Sequence, residues 1–460
     1  MSCRRTPNHE PRTFPLPALL LDKLTTSHPV TSAQGLSLTR NFSWNLVGNV
    51  VYAGCQWGIL VVLAKLTSPE MVGLFALGLA VTAPIIMLSQ LQLRGVQATD
   101  ANDEYAFGHY LALRLLTTAL ALLIIIGVIW VGSYSPNTAL VIFVVGLSKA
   151  FESISDVYYG LMQRHERMDR IAKARLIKGP LSLAALWLLV YVTGDVLWGV
   201  IGLAAVWLVI LLIYDVRNAA VILRESLSLQ GKSFVDKEEM RPDFEPRRLA
   251  HLAWLALPLG LVMALISLNT NIPRYFIEHE LGTAELGIFA ALAYLMVAGN
   301  TLVSAMGQSV TPRLAKYYAA GDLDGYKHLL ARMLGMGVLL SIAGVLVSVF
   351  AGHQLLSLLY RHEYALYNNI LIWLMIVAGV SYITSFLGYG MTAARYFRVQ
   401  LPLFMVVVAV TFGASLWLIP RFALTGAALA MGAGALAQLL GSCFVFVHIL
   451  QKKNVKGVSL

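Results

Sequence analysis

The sequence predicts an all-α, polytopic membrane protein with about twelve transmembrane helices. Of its 460 residues, 58% are hydrophobic and only 13% are charged, whereas a soluble domain carries about 25% charged residues. The mean hydropathy is +0.71. Apolar runs of about 20 residues recur along the chain, and each is long enough to cross a bilayer as a helix. Runs of this kind also exclude the alternating pattern of a membrane β-barrel.

Twelve segments meet the length criterion for a spanning helix. The fifth and sixth are the shortest, and only Thr193-Gly194-Asp195 separates them. The predicted limits are 42–64, 71–93, 110–132, 138–161, 177–193, 196–214, 250–272, 286–308, 331–352, 367–391, 400–419 and 424–450.

The distribution of charge predicts the topology. Most of the 34 Lys and Arg residues fall in the tails or in alternate connections between spans, which is typical of the cytoplasmic side. An even number of spans then places both termini in the cytoplasm. The net charge of +10 is thus explained without a nucleic-acid partner. The predicted regions are a cytosolic tail (1–40), an N-terminal lobe (41–215), a cytoplasmic linker (216–249), a C-terminal lobe (250–450) and a second tail (451–460).

Two short motifs occur once in each half of the chain. Residues 73–77 (Gly-Leu-Phe-Ala-Leu) open the second span, and residues 287–291 (Gly-Ile-Phe-Ala-Ala) open the eighth. Tyr-Gly pairs at 159–160 and 389–390 end the fourth and tenth spans. An offset of six helices is even, so both halves have the same orientation in the membrane. This pattern predicts a parallel repeat of two six-helix lobes.

Several of these segments together resemble the polysaccharide-type (Wzx-like) flippases, in the superfamily that also holds multidrug and toxin extruders and peptidoglycan-lipid flippases. The resemblance covers roughly residues 40–450. It is carried by Asn45-Leu-Val-Gly-Asn49, by the turn from Lys65 to Phe75, by Asn271-Ile-Pro-Arg274 with residues 281–289, by Pro312-Arg313 with Gly321-Asp322, and by the two Tyr-Gly pairs.

The resemblance implies a function as well as a fold. It implies two lobes that rock about a central cavity in the cell inner membrane. The implied cargo is a polyprenyl-pyrophosphate-linked oligosaccharide, a repeat unit of O-antigen, capsule or exopolysaccharide, which passes from the cytoplasmic to the periplasmic leaflet by alternating access. It further implies membrane lipid, glycosyltransferases and a polysaccharide polymerase as partners. It implies neither a catalytic activity nor a cofactor.

Three ionisable residues lie inside the fourth span. Lys149, Glu152 and Asp156 are spaced i, i+3 and i+7, which places them on one helix face. A charge at that depth costs about 3 kcal/mol or more unless it faces water or a partner. We therefore expect the triad to line the cavity, where Lys149 attracts the pyrophosphate or an acidic sugar and Glu152 or Asp156 exchanges a coupling proton. A purely structural ion pair is the alternative.

Polar residues, most of them uncharged, form stripes on three spans, with steps of three or four residues. Amides and hydroxyls suit sugar hydroxyls because they donate and accept hydrogen bonds. A shared hydrated lumen and ordinary interhelical hydrogen bonds are both compatible with this pattern. The stripes are Asn45, Asn49, Tyr52 and Gln56 on the first span, Ser267, Asn271 and Arg274 on the seventh, and Asn300, Ser304 and Gln308 on the eighth.

Arginines near the span ends have competing interpretations. Arg94 and Arg114 lie near the cytoplasmic ends of the second and third spans. Each suits a phosphate at the cavity mouth, although an interfacial anchor is the simpler reading. For Arg274 we expect an ion pair with Glu278, one helical turn further on.

The remaining motifs favour no metal site and no catalytic site. Histidines such as His109 show no metal-ligand spacing, and Gly231-Lys232-Ser233 lacks the rest of a phosphate-binding loop. Three alternatives stay open. An ion-coupled exporter of small molecules has the same fold, although the first span lacks the deep acid expected of one. A membrane enzyme of polysaccharide synthesis is disfavoured by the short external loops. A lipid scramblase is the third.

Overall fold

The computed structural model describes residues 38–100, 104–229, 240–394, 396 and 399–457. Almost all of the predicted N-terminal tail lies outside these ranges. So do the middle of the predicted linker (230–239), with Gly231-Lys232-Ser233, and the last residues of the C-terminal tail (458–460). Within the described ranges the chain is almost entirely helical and contains no strand.

The described residues form fourteen α-helices and one π-helical turn. In chain order they are α1 (Leu38–Leu66), α2 (Pro69–Gln90), α3 (Leu93–Thr99), α4 (Phe107–Val131), α5 (Pro136–Arg164), α6 (Met168–Thr193), α7 (Val196–Ile210), the π turn (Leu211–Asp215), α8 (Val216–Leu229), α9 (Pro246–Leu281), α10 (Thr283–Ala320), α11 (Leu323–Leu359), α12 (His362–Ala365), α13 (Asn368–Ala393) and α14 (Gln400–Gly457).

Eleven helical stretches in the described residues are long and apolar enough to cross a membrane. The last of them turns back on itself, because the backbone leaves the helical conformation at Ala423, with φ 49° and ψ −133°. The two arms of α14 are therefore antiparallel and cross the membrane twice, which accounts for twelve crossings. Their close approaches pair Gly426 with Leu418, Gly434 with Thr411, and Gly441 with Leu403.

Several helices are longer than the spans that the hydropathy pattern predicts, and the fifth and sixth spans show the reason. The fifth span was expected to begin at residue 177, but α6 begins at Met168. The sixth was expected to end at 214, yet the helix continues through the π turn into α8. The basic residues Arg175 and Lys178 shorten the apolar run of α6, although Lys178 is buried in protein. Hydropathy alone cannot distinguish a charge buried in protein from one outside the membrane.

The two copies of the first repeat motif, which begin at Gly73 and Gly287, contact each other across the halves. A Cβ on Gly73 of α2 would overlap the carbonyl oxygen of Thr283, and a Cβ on Gly287 of α10 would overlap that of Pro69. Pro69 and Thr283 each begin a helix, and each lies four residues before its glycine. Equivalent residues of the two halves thus contact each other reciprocally, as a pseudo-twofold axis along the membrane normal requires.

We call the membrane side that holds the connection between α8 and α9 the linker face, and the other side the far face. The Gly73–Gly287 contact lies at the far face, since α2 and α10 both begin there. On the linker face, the segment before α9 packs against the start of α4, where the Asp243 N–H donates to the Gly108 carbonyl at 3.0 Å.

Candidate functional site

An ion pair joins two of the three predicted residues of α5. The Lys149 ammonium lies 2.9 Å from a Glu152 oxygen. The other Glu152 oxygen accepts a 2.8 Å hydrogen bond from the Tyr52 hydroxyl of α1. The Lys149 ammonium also lies 4.8 Å from the ring centroid of Trp207 on α7, a cation–π distance. Glu152 thus links α1 and α5, and Lys149 links α5 and α7.

The Asp156 carboxylate forms ion pairs with two arginines from neighbouring helices. Its carboxylate lies 3.3 Å from Arg94 of α3 and 3.7 Å from Arg114 of α4. Arg94 also donates to the side-chain oxygen of Gln163 at 2.9 Å. Arg114 is fully buried and donates to Ser153 at 3.2 Å. It is therefore inside the helix packing, and the interfacial-anchor reading of Arg114 is wrong.

The amides of α1 accept hydrogen bonds from an arginine of α6 that is not among the site residues predicted from the sequence. Arg175 of α6 donates to the side-chain oxygens of Asn49 and Asn45, and Asn49 also donates to Asn45 at 3.3 Å. The first three residues of the stripe thus bond to α5 and α6, since Tyr52 donates to Glu152. The last residue, Gln56, has a buried side-chain nitrogen without a hydrogen bond to the described residues.

A cavity of about 460 Å³ lies in the C-terminal half. Its wall is formed by residues of α9, α10, α13 and α14, and among the described residues Arg274 is the one charged residue that lines it. The rest of the polar lining consists of amides and hydroxyls. These polar residues are Asn269, Thr270, Asn300, Ser381, Thr384, Ser385, Tyr389, Thr392, Gln400, Gln438 and Ser442.

Arg274 is held by an amide instead of a carboxylate. It donates to the side-chain oxygen of Asn271 at 3.0 Å, and Asn271 in turn donates to the carbonyl of Ser267 at 2.8 Å. No described carboxylate forms an ion pair with Arg274, so the expected pair with Glu278 is wrong. The helical spacing allowed that pair, but the arginine side chain contacts the cavity lining instead. Its charge stays available to an anion.

The polar walls of the two halves come close together near Tyr294 of α10. Both Glu152 and Arg274 are within electrostatic range of its side chain. The side chain of Glu152 is 28% accessible, so the polar residues around α5 are not sealed from solvent.

The comparison with known sequences agrees with this architecture. Residues 38–318 match the model of a family described as polysaccharide biosynthesis protein. The chain belongs to this family. It is also 30% identical, over 414 residues, to the capsular polysaccharide biosynthesis protein CapF of Staphylococcus aureus, and that alignment covers 90% of this chain and all of CapF.

Solved structures support the fold of this polysaccharide biosynthesis family member. The lipid II flippase MurJ, in an inward closed conformation, matches with a TM-score of 0.67 at 11% identity, covering 91% of this chain and 90% of MurJ. The Vibrio cholerae MATE transporter VcmN matches with a TM-score of 0.59 at 13% identity, covering 90% and 96%. The all-α polytopic fold predicted from the sequence is confirmed.

The structure brings only part of the predicted site to the C-terminal cavity of this family member. Asn300 lines it directly, and Asn271 orients Arg274. Ser304 is half-buried but is not among the lining residues. The other predicted residues belong to the N-terminal network: Lys149, Glu152, Asp156, Arg94, Arg114, Asn45, Asn49, Tyr52 and Gln56.

Two further buried charges were absent from the predicted site. Lys178 of α6 is almost fully buried, 5.1 Å from the Trp207 ring centroid. Asp215, at the end of the π turn, is fully buried next to the hydroxyls of Ser155 and Tyr159, without a hydrogen bond of good geometry. The spacing of Arg175 and Lys178, three residues apart, was the available signal. Arg175 lies before the predicted start of the fifth span and Lys178 lies only one residue inside it, so both are interpreted as part of a cytoplasmic basic cluster.

Proposed function

We propose that this protein moves a polyprenyl-pyrophosphate-linked oligosaccharide across the inner membrane by alternating access, with the linker face and both termini in the cytoplasm. The observation that carries the proposal is the C-terminal cavity, where one amide-held arginine stands among uncharged hydrogen-bonding groups. Membership in a polysaccharide biosynthesis family supports the cargo class, and the MurJ-like fold supports the mode of transport.

The chemistry of the cavity fits the two parts of such a cargo. A guanidinium binds phosphate oxygens with two parallel hydrogen bonds, and Arg274 has no carboxylate to compete for it. Amides and hydroxyls such as Asn300 and Ser381 can exchange hydrogen bonds with sugar hydroxyls. The volume of 460 Å³ lies within the range of roughly 300–1,000 Å³ usual for ligand sites. The polyprenyl tail stays in lipid.

The ion pairs around Lys149, Glu152 and Asp156 in the N-terminal half have a different proposed role. Sugar and charge are costly in hydrocarbon, so a polar wall opposite the cavity lowers the barrier to passage. A cargo anion that approaches Lys149 competes with Glu152, and the released carboxylate can then take up a coupling ion. We assign ion coupling to Glu152 first, because Asp156 is engaged by two arginines.

An ion-coupled exporter of small molecules is the second candidate, because the fold is similar to that of MATE transporters. The charge of the cavity lining, which is a single arginine among the described residues, distinguishes the two. A lone arginine attracts anions and repels the cationic compounds that a drug exporter would need to bind. In either case the protein acts as a transporter, and not as an enzyme. If the cargo is the lipid-linked oligosaccharide, glycosyltransferases supply it and a polymerase consumes it.

Transport of the lipid-linked sugar can be measured in vesicles that contain the purified protein. The pyrophosphate-linked oligosaccharide is placed in both leaflets, and its exposure to an impermeant sugar-modifying reagent is followed over time. We expect the protein to make the inner-leaflet pool accessible. Equal accessibility in vesicles with and without the protein would reject the proposal. Export of a cationic dye without movement of the sugar would favour the second candidate.

Arg274→Gln is the variant that tests the cavity. A hydrogen-bonded charge contributes about 1.5–3 kcal/mol, so we expect the transport rate to fall by roughly tenfold to a hundredfold. Arg421→Gln is the matched control, because Arg421 stacks on Trp417, with its guanidinium carbon 4.4 Å from the ring centroid, near the far face. Equal rates for the two variants, at equal protein levels, would remove Arg274 from the site.

A further inference from the structure

A second cluster of polar side chains lies on the linker face, away from the transport cavity. His109 is in the first turn of α4, whereas Asp243 and Glu245 immediately precede α9. The histidine Nε2 lies 3.1 Å from an Asp243 oxygen and 3.8 Å from a Glu245 oxygen. Among the described residues, this is the one group of three side chains whose ligand atoms lie close enough to hold a metal ion.

The histidine ring is buried, and its close contact with Asp243 does not have the geometry of a hydrogen bond. The residue is 4% exposed, and neither ring nitrogen forms a hydrogen bond of good geometry with the described residues. Buried polar groups are otherwise paired in the great majority of cases. Nε2 instead faces two carboxylates that are themselves about half exposed. A cation bound between them would satisfy the ring nitrogen and could still be reached from solvent.

The two distances from the histidine nitrogen to the carboxylate oxygens, 3.1 and 3.8 Å, fit one class of ion. Zinc binds imidazole nitrogen at about 2.0–2.1 Å and carboxylate oxygen at about 2.0–2.2 Å. Two ligands at the tetrahedral angle then lie about 3.4 Å apart, between the two observed distances. One imidazole with two carboxylates suits zinc and its neighbours in the first transition series, whereas magnesium and calcium prefer oxygen ligands only.

The backbone holds these ligands in place without a metal. The Asp243 N–H donates to the Gly108 carbonyl at 3.0 Å, and a Cβ on Gly108 would clash with the Arg241 carbonyl. The Glu245 N–H donates to the second Asp243 oxygen at 3.2 Å. A short hydrogen bond between Tyr105 and His251 joins α9 to the segment before α4 nearby.

The loop that leads into α4 is also fixed from its own side. Asp100 accepts hydrogen bonds from the backbone N–H groups of Glu104 and Tyr105, at 3.1 and 3.2 Å, and from the Tyr110 hydroxyl at 3.2 Å. Partial burial acts to raise the pKa of Asp100, but these hydrogen bonds outweigh it and lower that pKa. The ligands are thus positioned by structure on both sides of the cluster.

We propose that His109, Asp243 and Glu245 form a binding site for a divalent transition metal, with zinc as the ion that fits best, which ties the start of α9 to the start of α4. The bound ion bridges the N-terminal and C-terminal halves at the linker face. Arg248 is the internal competitor, since its Nε lies 3.0 Å from the same Glu245 oxygen that would bind the ion. The site does not depend on the proposed transport function.

Zinc binding is measured on the purified full-length protein, after removal of any affinity tag and of bound metal. We expect wild-type protein to bind one more equivalent of Zn²⁺ than His109→Ala. Asp243→Asn should weaken zinc binding by at least about tenfold, since altering even a hydrogen-bond partner of a metal ligand typically costs about 10–100-fold in affinity. Arg248→Gln should bind zinc more tightly, because the competing guanidinium is gone.

His279→Ala is the matched control on the far face. His279 Nδ1 lies 3.0 Å from Glu280, so it reproduces a histidine–carboxylate pair without a third ligand. This variant should bind as much zinc as wild type. Cobalt added in place of zinc gives a second readout, because its visible absorption reports on the coordinating ligands. A cobalt spectrum unchanged in Asp243→Asn, or equal zinc stoichiometry in wild type and His109→Ala, would overturn the proposal.

Discussion

In the N-terminal half, Lys149, Arg94 and Arg114 all lie against carboxylates of α5, whereas Arg274 in the C-terminal half bonds to an amide. The two halves share a fold and a pseudo-twofold axis, so the difference is one of side chains. A paired cation holds helices together and has little charge left for a ligand. An amide-held cation keeps its charge, which suits it to bind an anionic cargo.

The energetic demands on the two regions differ in the same way. Removing one partner of a buried ion pair leaves an uncompensated charge, at a cost of about 3–5 kcal/mol. Removing an arginine that faces a hydrated cavity leaves no such charge behind. We therefore expect substitutions in the α5 network to affect folding first, and substitutions around Arg274 to affect transport first.

The largest effect should come from Asp156→Asn. The neutral amide leaves Arg114 fully buried without a counter-charge, so the free energy of unfolding should fall by about 3–5 kcal/mol. Thermal unfolding of the purified protein and its level in the membrane both report this loss. Arg94→Gln removes only the partly exposed partner and is the control. Similar losses for the two variants would contradict the role assigned to the buried arginine.

The second largest effect tests the reciprocal contact between equivalent residues of the two halves. Gly73→Ala and Gly287→Ala each place a methyl group against a helix-start carbonyl of the opposite half. Overpacking of this kind costs about 1–3 kcal/mol, and we expect the two variants to lose stability by similar amounts. Gly54→Ala is the control, because a Cβ there contacts nothing within 4 Å. A large loss in only one of the pair would contradict the symmetric contact.

The sequence predicted the membrane fold and the repeat because both depend on patterns along the chain. Apolar runs located the spans, and the motifs that begin at Gly73 and Gly287 marked equivalent positions. The pairing of charges could not be predicted in the same way. Asp156 meets arginines from α3 and α4, and His109 meets carboxylates more than 130 residues away. Such neighbours are set by helix packing, which one sequence does not specify.

The two arginines that are held by amides allow a finer comparison. Asn271→Ala removes the hydrogen bond that orients Arg274, and Asn49→Ala removes one that orients Arg175. One hydrogen bond is worth about 1 kcal/mol, so Asn271→Ala should slow transport by roughly fivefold. Because Arg175 lies in the N-terminal half, outside the lining of the C-terminal cavity, Asn49→Ala should slow transport less than Asn271→Ala. Transport rates of the two variants in vesicles test this comparison. Equal rates for Asn271→Ala and Asn49→Ala would indicate that Arg175 also binds the cargo.

The smallest effect should follow from Tyr52→Phe, which removes the hydroxyl that donates to Glu152. Lys149 still pairs with the carboxylate, so the loss should stay near 1 kcal/mol of unfolding free energy. Transport should change little at saturating ion concentration.

If Glu152 carries the coupling ion, however, its affinity for that ion should shift in Tyr52→Phe, because one of the groups that stabilise the charged carboxylate is gone. Transport rates measured across a series of ion gradients test this, with Tyr191→Phe on the exposed surface of α6 as the control. An unchanged gradient dependence would place Glu152 among the structural charges of the network and leave coupling to another residue.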